Sequence, residues 1–392
     1  MVKALRAVFM VVLPSIFVVF AVVVWPWDLE APWKRFAMFN PGGYSFLDNG
    51  DTRGNCTERQ NIVFIKTHKV GGTTLATILY RYGYQRDLSF VINRRKDWNG
   101  HLRTLSIDKE NPGKTLLPPR DREKRRRFKY NICNIHALYD RPVMDSVMEN
   151  DTFFVILLRD PVSQFESAFD FFHMDQEIKP LKGKSDPLAF FFTNPNFFMA
   201  QASKVRRRDL RNNQFYHLRL SWRFYEDDNF IKTTIKRLDA ELDLVMILEY
   251  FDESLILLKK KMCWTYLDIL YVKKNQRIKK TKVTNEVAEE IRKWNKADTM
   301  LYDHFKRKLF SEIEQYGPSF YDDLNRFREM QRSVTRQCVN SRKVVSNNGK
   351  TFEYGSRRRD DDICQVLTRD TQTWFQKIWQ SQLGLPIRPR WI

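Results

Sequence analysis

Three stretches of this sequence hold side chains whose types and spacing suit the transfer of an anionic group. The first is I-K-T-H-K-V-G-G-T-T-L at 65–75. Lys69 supplies a positive charge. Gly71 and Gly72 let the backbone approach an anion closely, and Thr73 and Thr74 add hydroxyls. A loop that leaves a strand and enters a helix aims several backbone N–H groups at one point, and the helix end adds partial positive charge. The lysine precedes the glycines, so this is not a Walker A loop. The plainer reading is a tight Gly-Gly turn with threonines capping the helix. The second stretch is I-L-L-R-D-P-V-S-Q-F-E-S-A-F at 156–169. Arg159 stands at a strand end and Ser167 lies inside the following helix. A guanidinium can fork two hydrogen bonds onto a phosphate, and a serine can add a third. The plainer reading makes Asp160 a helix cap and pairs Arg159 with a carboxylate. The third stretch is C-N-I-H-A-L-Y at 133–139, lying between the other two. His136 is the candidate general base for an acceptor hydroxyl that must lose its proton. His173 is the next candidate. His68 is assigned a structural place beside Lys69, where a protonated ring would be a poor base. His304 reads as a packing residue.

These residues need elements to hold them. Apolar runs at 61–66, 130–135, 153–158 and 244–248 read as strands. Helical patterns follow at 73–82, 161–172 and 251–262. Such alternation predicts an α/β fold with a central parallel sheet flanked by helices.

The chain carries 67 Lys and Arg against 47 Asp and Glu, a net charge of +20. A surface of this kind attracts anions. Basic runs at 120–129, 204–211 and 273–282 are either solvated faces or the rim of a cleft. Between Arg6 and Asp28 the sequence has no charge, which is long enough for one membrane-spanning helix. Lys3 and Arg6 before it place the short N-terminus in the cytosol and the rest in the lumen. A cleaved signal peptide is the competing reading. The sequons at Asn55 and Asn150 fit lumenal exposure, which also excludes nucleic acid as the natural partner. Five cysteines allow one or two disulfides, with Cys338 and Cys364 a possible pair and one thiol left over. No zinc-type spacing is present, and no metal is expected. The expected organisation is a cytoplasmic tail (1–6), a signal anchor (7–27), a stem (28–60), a catalytic domain (61–335) and a C-terminal extension (336–392).

The first two motifs resemble the 5′-phosphosulfate loop and the 3′-phosphate element of sulfotransferases that use 3′-phosphoadenosine 5′-phosphosulfate (PAPS). The stretches at 61–69, 74–83, 130–139, 156–169, 249–264 and 294–305 together resemble the galactose-3-O-sulfotransferase family, which includes galactosylceramide sulfotransferase. The resemblance spans about residues 61 to 310. It implies a P-loop-like sulfotransferase fold and a Golgi membrane enzyme, single-pass type II, with its catalytic domain in the lumen. It also implies PAPS as co-substrate and a galactose hydroxyl of a glycolipid or glycoprotein as acceptor. Lys69, Gly71, Gly72, Thr73, Thr74, Arg159 and Ser167 would bind the donor, with Lys69 at the bridging oxygen. The related uronosyl 2-O-sulfotransferases carry H-x-H where this chain has Asn134-x-His136. The sequence departs from the family at Gly71-Gly72, where Ser or Ala is usual, and in basic insertions near 105–129. The rival readings are a lumenal kinase or nucleotidase, for which no metal-binding carboxylates are well placed, a basic glycan-binding module, and a sulfotransferase acting on a proteoglycan chain.

Overall fold

The computed structural model describes residues 56–94, 112–121, 126–278, 281–346, 351–357 and 362–384. The expected anchor at 7–27, the stem up to residue 55 and the sequon at Asn55 lie outside the described residues. No helix among the described residues is long and apolar enough to cross a membrane.

The apolar runs form strands because each is flanked by structure on both faces. β1 (Ile62–Ile65) leads into helix α1 (Gly72–Gln85). β2 (Ile132–Cys133) and β3 (Phe153–Leu158) follow, and β3 leads into α2 (Pro161–Phe171). A short helix, α3 (Asn213–His217), precedes β4 (Leu244–Ile247) and α4 (Phe251–Met262). Every residue of these four strands is buried. Burying one Val, Leu, Ile or Phe side chain stabilises by about 1.5–3 kcal/mol, so the sheet is the core of the fold.

The four strands are parallel in the order β2-β1-β3-β4, with Ile62 opposite Phe153 and Val155 opposite Leu244. After β1 the chain turns to one side for β2 and then crosses back for β3. The carboxyl ends of β1 and β3 therefore flank the switch point, where open α/β sheets bind ligands. Both anion motifs leave the sheet there.

Gly83 lets α1 lie close to the sheet. A Cβ at that position would stand 2.4 Å from Phe90 and 2.5 Å from Ile132. Long helices α5 (Lys296–Tyr316) and α6 (Ser319–Cys338) pack beyond β4 and α4. Three further strands build a second sheet. Its strands β5 (Gln276–Arg277), β6 (Val339–Ser346) and β7 (Thr351–Ser356) lie antiparallel in the order β5-β7-β6. Helices α7 (Asp362–Thr368) and α8 (Thr371–Gln382) follow.

Cys338 pairs with Cys364, and Cys133 is the buried free thiol. The second disulfide, Cys56–Cys263, was not visible in the sequence. It ties residues assigned to the stem onto the end of α4. Tyr82 and Arg86 hold Glu58 beside it, at 3.0 and 2.7 Å.

Candidate active site

The chain leaves β1 through a strained turn. Lys69 has φ 61°, left-handed backbone that costs a residue with a Cβ about 1–2 kcal/mol. Val70 anchors the turn in the core, and Gly71 follows at φ 79°. Its left-handed backbone favours glycine, and a Cβ on Gly71 would stand 2.6 Å from Leu248 Cδ1, so any side chain there would also have to displace that leucine. Gly71 gives α1 no side-chain cap, and the first turn of α1 holds no acidic residue. That leaves an open helix N-terminus of the kind that accepts anions. The threonines do not cap it. Thr73 Oγ1 accepts from Asn275 Nδ2 at 3.2 Å, and Thr74 Oγ1 from the Lys274 backbone at 3.1 Å.

The exit from β3 is built differently. Asp160 caps α2 by accepting from the Ser163 N–H at 3.0 Å, with Pro161 in the first turn. Arg159 makes no ion pair among the described residues. It donates from Nη1 to the Lys69 carbonyl at 3.0 Å, which joins the two motifs, and its buried Nε has no partner among the described residues. The Gln214 side-chain amide grips both backbone polar groups of Arg159, each at 2.9 Å. Gln214 is held in turn by Asp298, a fully buried carboxyl that accepts the Gln214 and Phe215 N–H groups at 3.0 and 2.8 Å. Burial pushes that carboxyl up to about 7.

The Lys69 ammonium lies 3.4 Å from the centroid of the Phe171 ring. Burial, and then the positive charges of Arg159 and Arg277, bring its pKa down to about 7. Lys66, half-buried on the same loop, is lowered to about 8 by burial. Glu166 and Ser167 are buried side by side in α2. Glu166 receives a forked bond from Arg277, with nitrogen–oxygen distances of 2.6 and 2.5 Å.

Beside these cations lies a cluster of three imidazoles. The His68 ring centroid is 4.7 Å from that of His136 and 4.8 Å from that of His217. His136 Nδ1 lies 2.9 Å from the Lys66 carbonyl. A carbonyl only accepts, so Nδ1 carries the hydrogen and Nε2 keeps its lone pair. His68 Nδ1 lies 2.8 Å from buried Asp209, which fixes its tautomer in the same sense. His217 is buried, and neither of its ring nitrogens has a partner among the described residues. Burial, with Lys66, His68 and His217 adding to it, holds His136 well below the ordinary imidazole value. Burial and then His68 do the same for His217. Among the described residues no group of acidic, His or Cys side chains is arranged to hold a metal ion.

A family model described as galactose-3-O-sulfotransferase matches residues 2–353. The chain belongs to the galactose-3-O-sulfotransferase family. It is 30% identical over 302 residues to the galactosylceramide sulfotransferase of Bos taurus, which covers 74% of this chain and 67% of that protein. The corresponding enzyme of Mus musculus is 27% identical over 301 residues, with the same coverage. Galactose-3-O-sulfotransferase 2 of Homo sapiens is 26% identical over 291 residues, 73% of this chain and 70% of the relative.

In this family member the fold brings Lys69, Arg159 and the N-terminal turn of α1 to one end of the sheet, while Ser167 is buried within α2 and His136 follows β2, bonded to the Lys66 carbonyl. His173 stands apart, in left-handed backbone at the start of a short helix and outside the ring contacts of the histidine cluster. The structure adds detail to three placements. His68, given a structural place in the sequence, links the histidine cluster to Asp209. His304 packs its ring against Phe305, with centroids 4.9 Å apart, and in addition bonds the carboxylate of Asp239 at 3.0 Å. The basic run at 204–211 is largely occupied within the fold: Arg206 contacts Asp209 and Phe172, and Arg211 contacts Glu226 and Trp294. His217, Asp209 and Glu166 were not assigned in the sequence reading because no motif spacing joins them to the donor loop, and Arg277 was covered only as part of the basic run at 273–282. The lack of any acidic residue in 273–282 was the one signal that pointed to Arg277. Asn150 is exposed in the turn entering β3, while the hydroxyl of its sequon partner Thr152 faces inward and bonds the Glu149 carbonyl at 2.5 Å.

Proposed function

We propose that this protein transfers the sulfuryl group of PAPS to a galactose hydroxyl, the 3-hydroxyl, on a glycolipid or glycoprotein glycan. It works as a single-pass type II protein of the Golgi membrane, anchored through residues 7–27 and glycosylated at Asn55 or Asn150. The observation that carries this reading is the junction of two unlike groups of side chains. Lys69 and Arg159 present half-buried positive charge at a helix N-terminus, and on the same loop the Lys66 carbonyl holds a neutral imidazole, His136, with a free lone pair.

Each group has a step to perform. Gly71, Gly72, Thr73 and Thr74 cradle the 5′-phosphosulfate on backbone and hydroxyl donors. Arg159 and Ser167 hold the 3′-phosphate. The His136 Nε2 takes the proton of the acceptor hydroxyl as its oxygen attacks sulfur. The bond from sulfur to the bridging oxygen breaks, and the electron pair stays on adenosine 3′,5′-bisphosphate. Lys69 neutralises the charge that grows on that oxygen, as in phosphoryl transfer. Burial, with the Lys66 charge adding to it, keeps His136 deprotonated, which is what a base requires.

The test is transfer of labelled sulfate from PAPS to galactose-terminated glycolipid and glycoprotein acceptors, with the product linkage read by mass spectrometry. Adenosine 3′,5′-bisphosphate should also raise the melting temperature, because a ligand that binds only the folded state stabilises it. A protein that binds galactose-terminated glycans but shows neither transfer nor stabilisation by the nucleotide is a glycan-binding module, and the enzymatic reading then fails.

A further inference from the structure

The segment after α3 is tied to the end of the sheet that carries the two anion motifs. At its start the Tyr139 N–H donates to the His217 carbonyl at 2.8 Å, and Arg219 bonds Asp140. Residues 139 and 140 lie just beyond His136. At its far end the segment enters the helix Asp228–Glu241, which leads into β4. Asp228 lies 2.5 Å from the Lys296 ammonium at the start of α5. On the same turn of α5, Asp298 holds Gln214, and Gln214 grips Arg159 at the end of β3. The residues between these ties, 220–230, therefore stand at the mouth end of the molecule, where Lys69, Arg159 and His136 are found.

This stretch leaves aromatic surface in water. Trp222, in the single helical turn Trp222–Phe224, is 73% exposed, and Phe224 and Phe230 are each 37% exposed. The two phenylalanine rings stack on each other, with centroids 4.1 Å apart and 15° between their planes. Buried Tyr225 pins the turn to the fold. The acidic residues nearby are engaged with the protein itself. Glu226 accepts from Arg211 at 2.5 Å, Asp227 caps its helix by accepting the Phe230 N–H at 3.0 Å, and Asp228 meets Lys296. Arg223 is exposed between Trp222 and Phe224, its guanidinium carbon 5.8 Å from the centroid of the Trp222 ring. At those exposures the three rings offer about 300 Å² of apolar surface, taking about 150–250 Å² for each aromatic side chain. Each partner in a stable protein complex buries about 800 Å², so the patch is small for a second protein. A ring as exposed as Trp222 projects from the surface instead of lining a groove for a sugar. Tryptophan, phenylalanine and arginine together suit a bilayer interface: the rings enter the boundary between headgroups and acyl chains, and the guanidinium stays with the phosphates.

We propose that Trp222, Phe224 and Phe230 form a membrane-contact patch, with Arg223 on lipid phosphates, that rests the mouth of the site on the bilayer surface. The contact itself stands on the exposed rings and their place in the fold. Its consequence rests on the glycolipid arm of the acceptor reading above: a galactose headgroup standing on that bilayer reaches the His136 end of the site without its lipid tail leaving the membrane.

The experiment uses the full-length protein in phosphatidylcholine vesicles that contain galactosylceramide and a phosphatidylcholine with a diazirine in its acyl chain. After photolysis, mass spectrometry should find lipid adducts within residues 222–230 as well as on the proposed anchor. Trp222→Ser with Phe230→Ser should remove the adducts at 222–230 and leave the melting temperature unchanged, because both side chains are exposed. Trp222→Ser alone keeps the stacked pair and should act the same way with a smaller effect. Adducts confined to the anchor would overturn the contact. Sulfate transfer gives a second readout. The double variant should raise the KM for galactosylceramide in vesicles about tenfold or more, while the KM for a soluble β-galactoside and the nucleotide affinity hold. An equal loss on both acceptors would make the rings a platform for sugar and overturn the membrane role. A change from dimer to monomer in light scattering would make them an interface between copies, with the same result. Adducts at 222–230 in a protein that sulfates neither acceptor would uphold the contact and remove the acceptor reading.

Discussion

The two halves of the site use burial to opposite ends. On one side Lys69, Arg159 and Arg277 crowd positive charge where solvent cannot screen it, and the proton affinity of Lys69 falls to about 7 as a result. On the other side, the His68 ring lies within 5 Å of both His136 and His217, and burial keeps His136 and His217 uncharged. A bound anion would repay the cost of the first half. The second half must remain neutral to accept a proton. Desolvation lowers the pKa of every cationic acid, whether lysine or histidine, so the same low-dielectric setting serves both.

The sharpest way to separate the halves is His136→Ala. Turnover should fall about 10²–10⁴-fold, the usual loss when a general base is removed, while nucleotide affinity and melting temperature hold. Near-normal turnover in that folded variant would move the base to another ring, and His68 with its Asp209 contact is the one to substitute next. Arg159→Ala should show the converse pattern. Nucleotide affinity should drop about ten- to a hundredfold, as expected for a charged hydrogen bond. Unchanged affinity would break the assignment of that half to the donor.

The pH dependence probes the comparison more gently. His217 is neutral when folded and takes up a proton near 6.5 when unfolded, so the unfolded state binds more protons below that pH. Stability should therefore decline as pH falls through 6.5, by up to about 1.4 kcal/mol per pH unit for this group. Chemical denaturation at several pH values reads the slope, and His217→Gln should reduce it. An unchanged slope in His217→Gln would show that the ring is not buried in its neutral form. The depressed value of His136 predicts that activity holds as pH drops past 6.5 and fails only well below it. The smallest effect is on Lys69. Its ammonium is near half-protonated at pH 7 in the free protein, and a bound anion raises its pKa. Nucleotide binding near neutrality should then take up part of a proton, seen as a binding enthalpy that varies with the ionisation enthalpy of the buffer. Lys69→Met should abolish that variation; a full buffer effect in Lys69→Met would assign the proton to another group.

Much of the sheet was legible because its signals are local. The run at 153–158 coincides with β3, and the helix at 251–262 with α4. Asp160 before Pro161 announced the start of α2, and the Asp160 cap holds as read. The donor loop was legible in type: a lysine, two glycines and two threonines between a strand and a helix. What those residues bond was not. Gly71 answers to Leu248 at the end of β4, two strands away, and the threonine hydroxyls are engaged by residues 274 and 275 instead of by their own helix.

The sequence by itself determined the strands, the two anion motifs at their ends and a histidine between them, because each depends on neighbours a few residues away. Only the tertiary structure decided the composition of the two halves. The partner of His68 is 141 residues distant, that of Glu166 is 111, and Lys274 meets Thr368 across 94. Spacing carries no information over such separations. Burial is likewise a property of the assembled packing, and it is burial that leaves His136 and His217 neutral and brings Lys69 near neutrality.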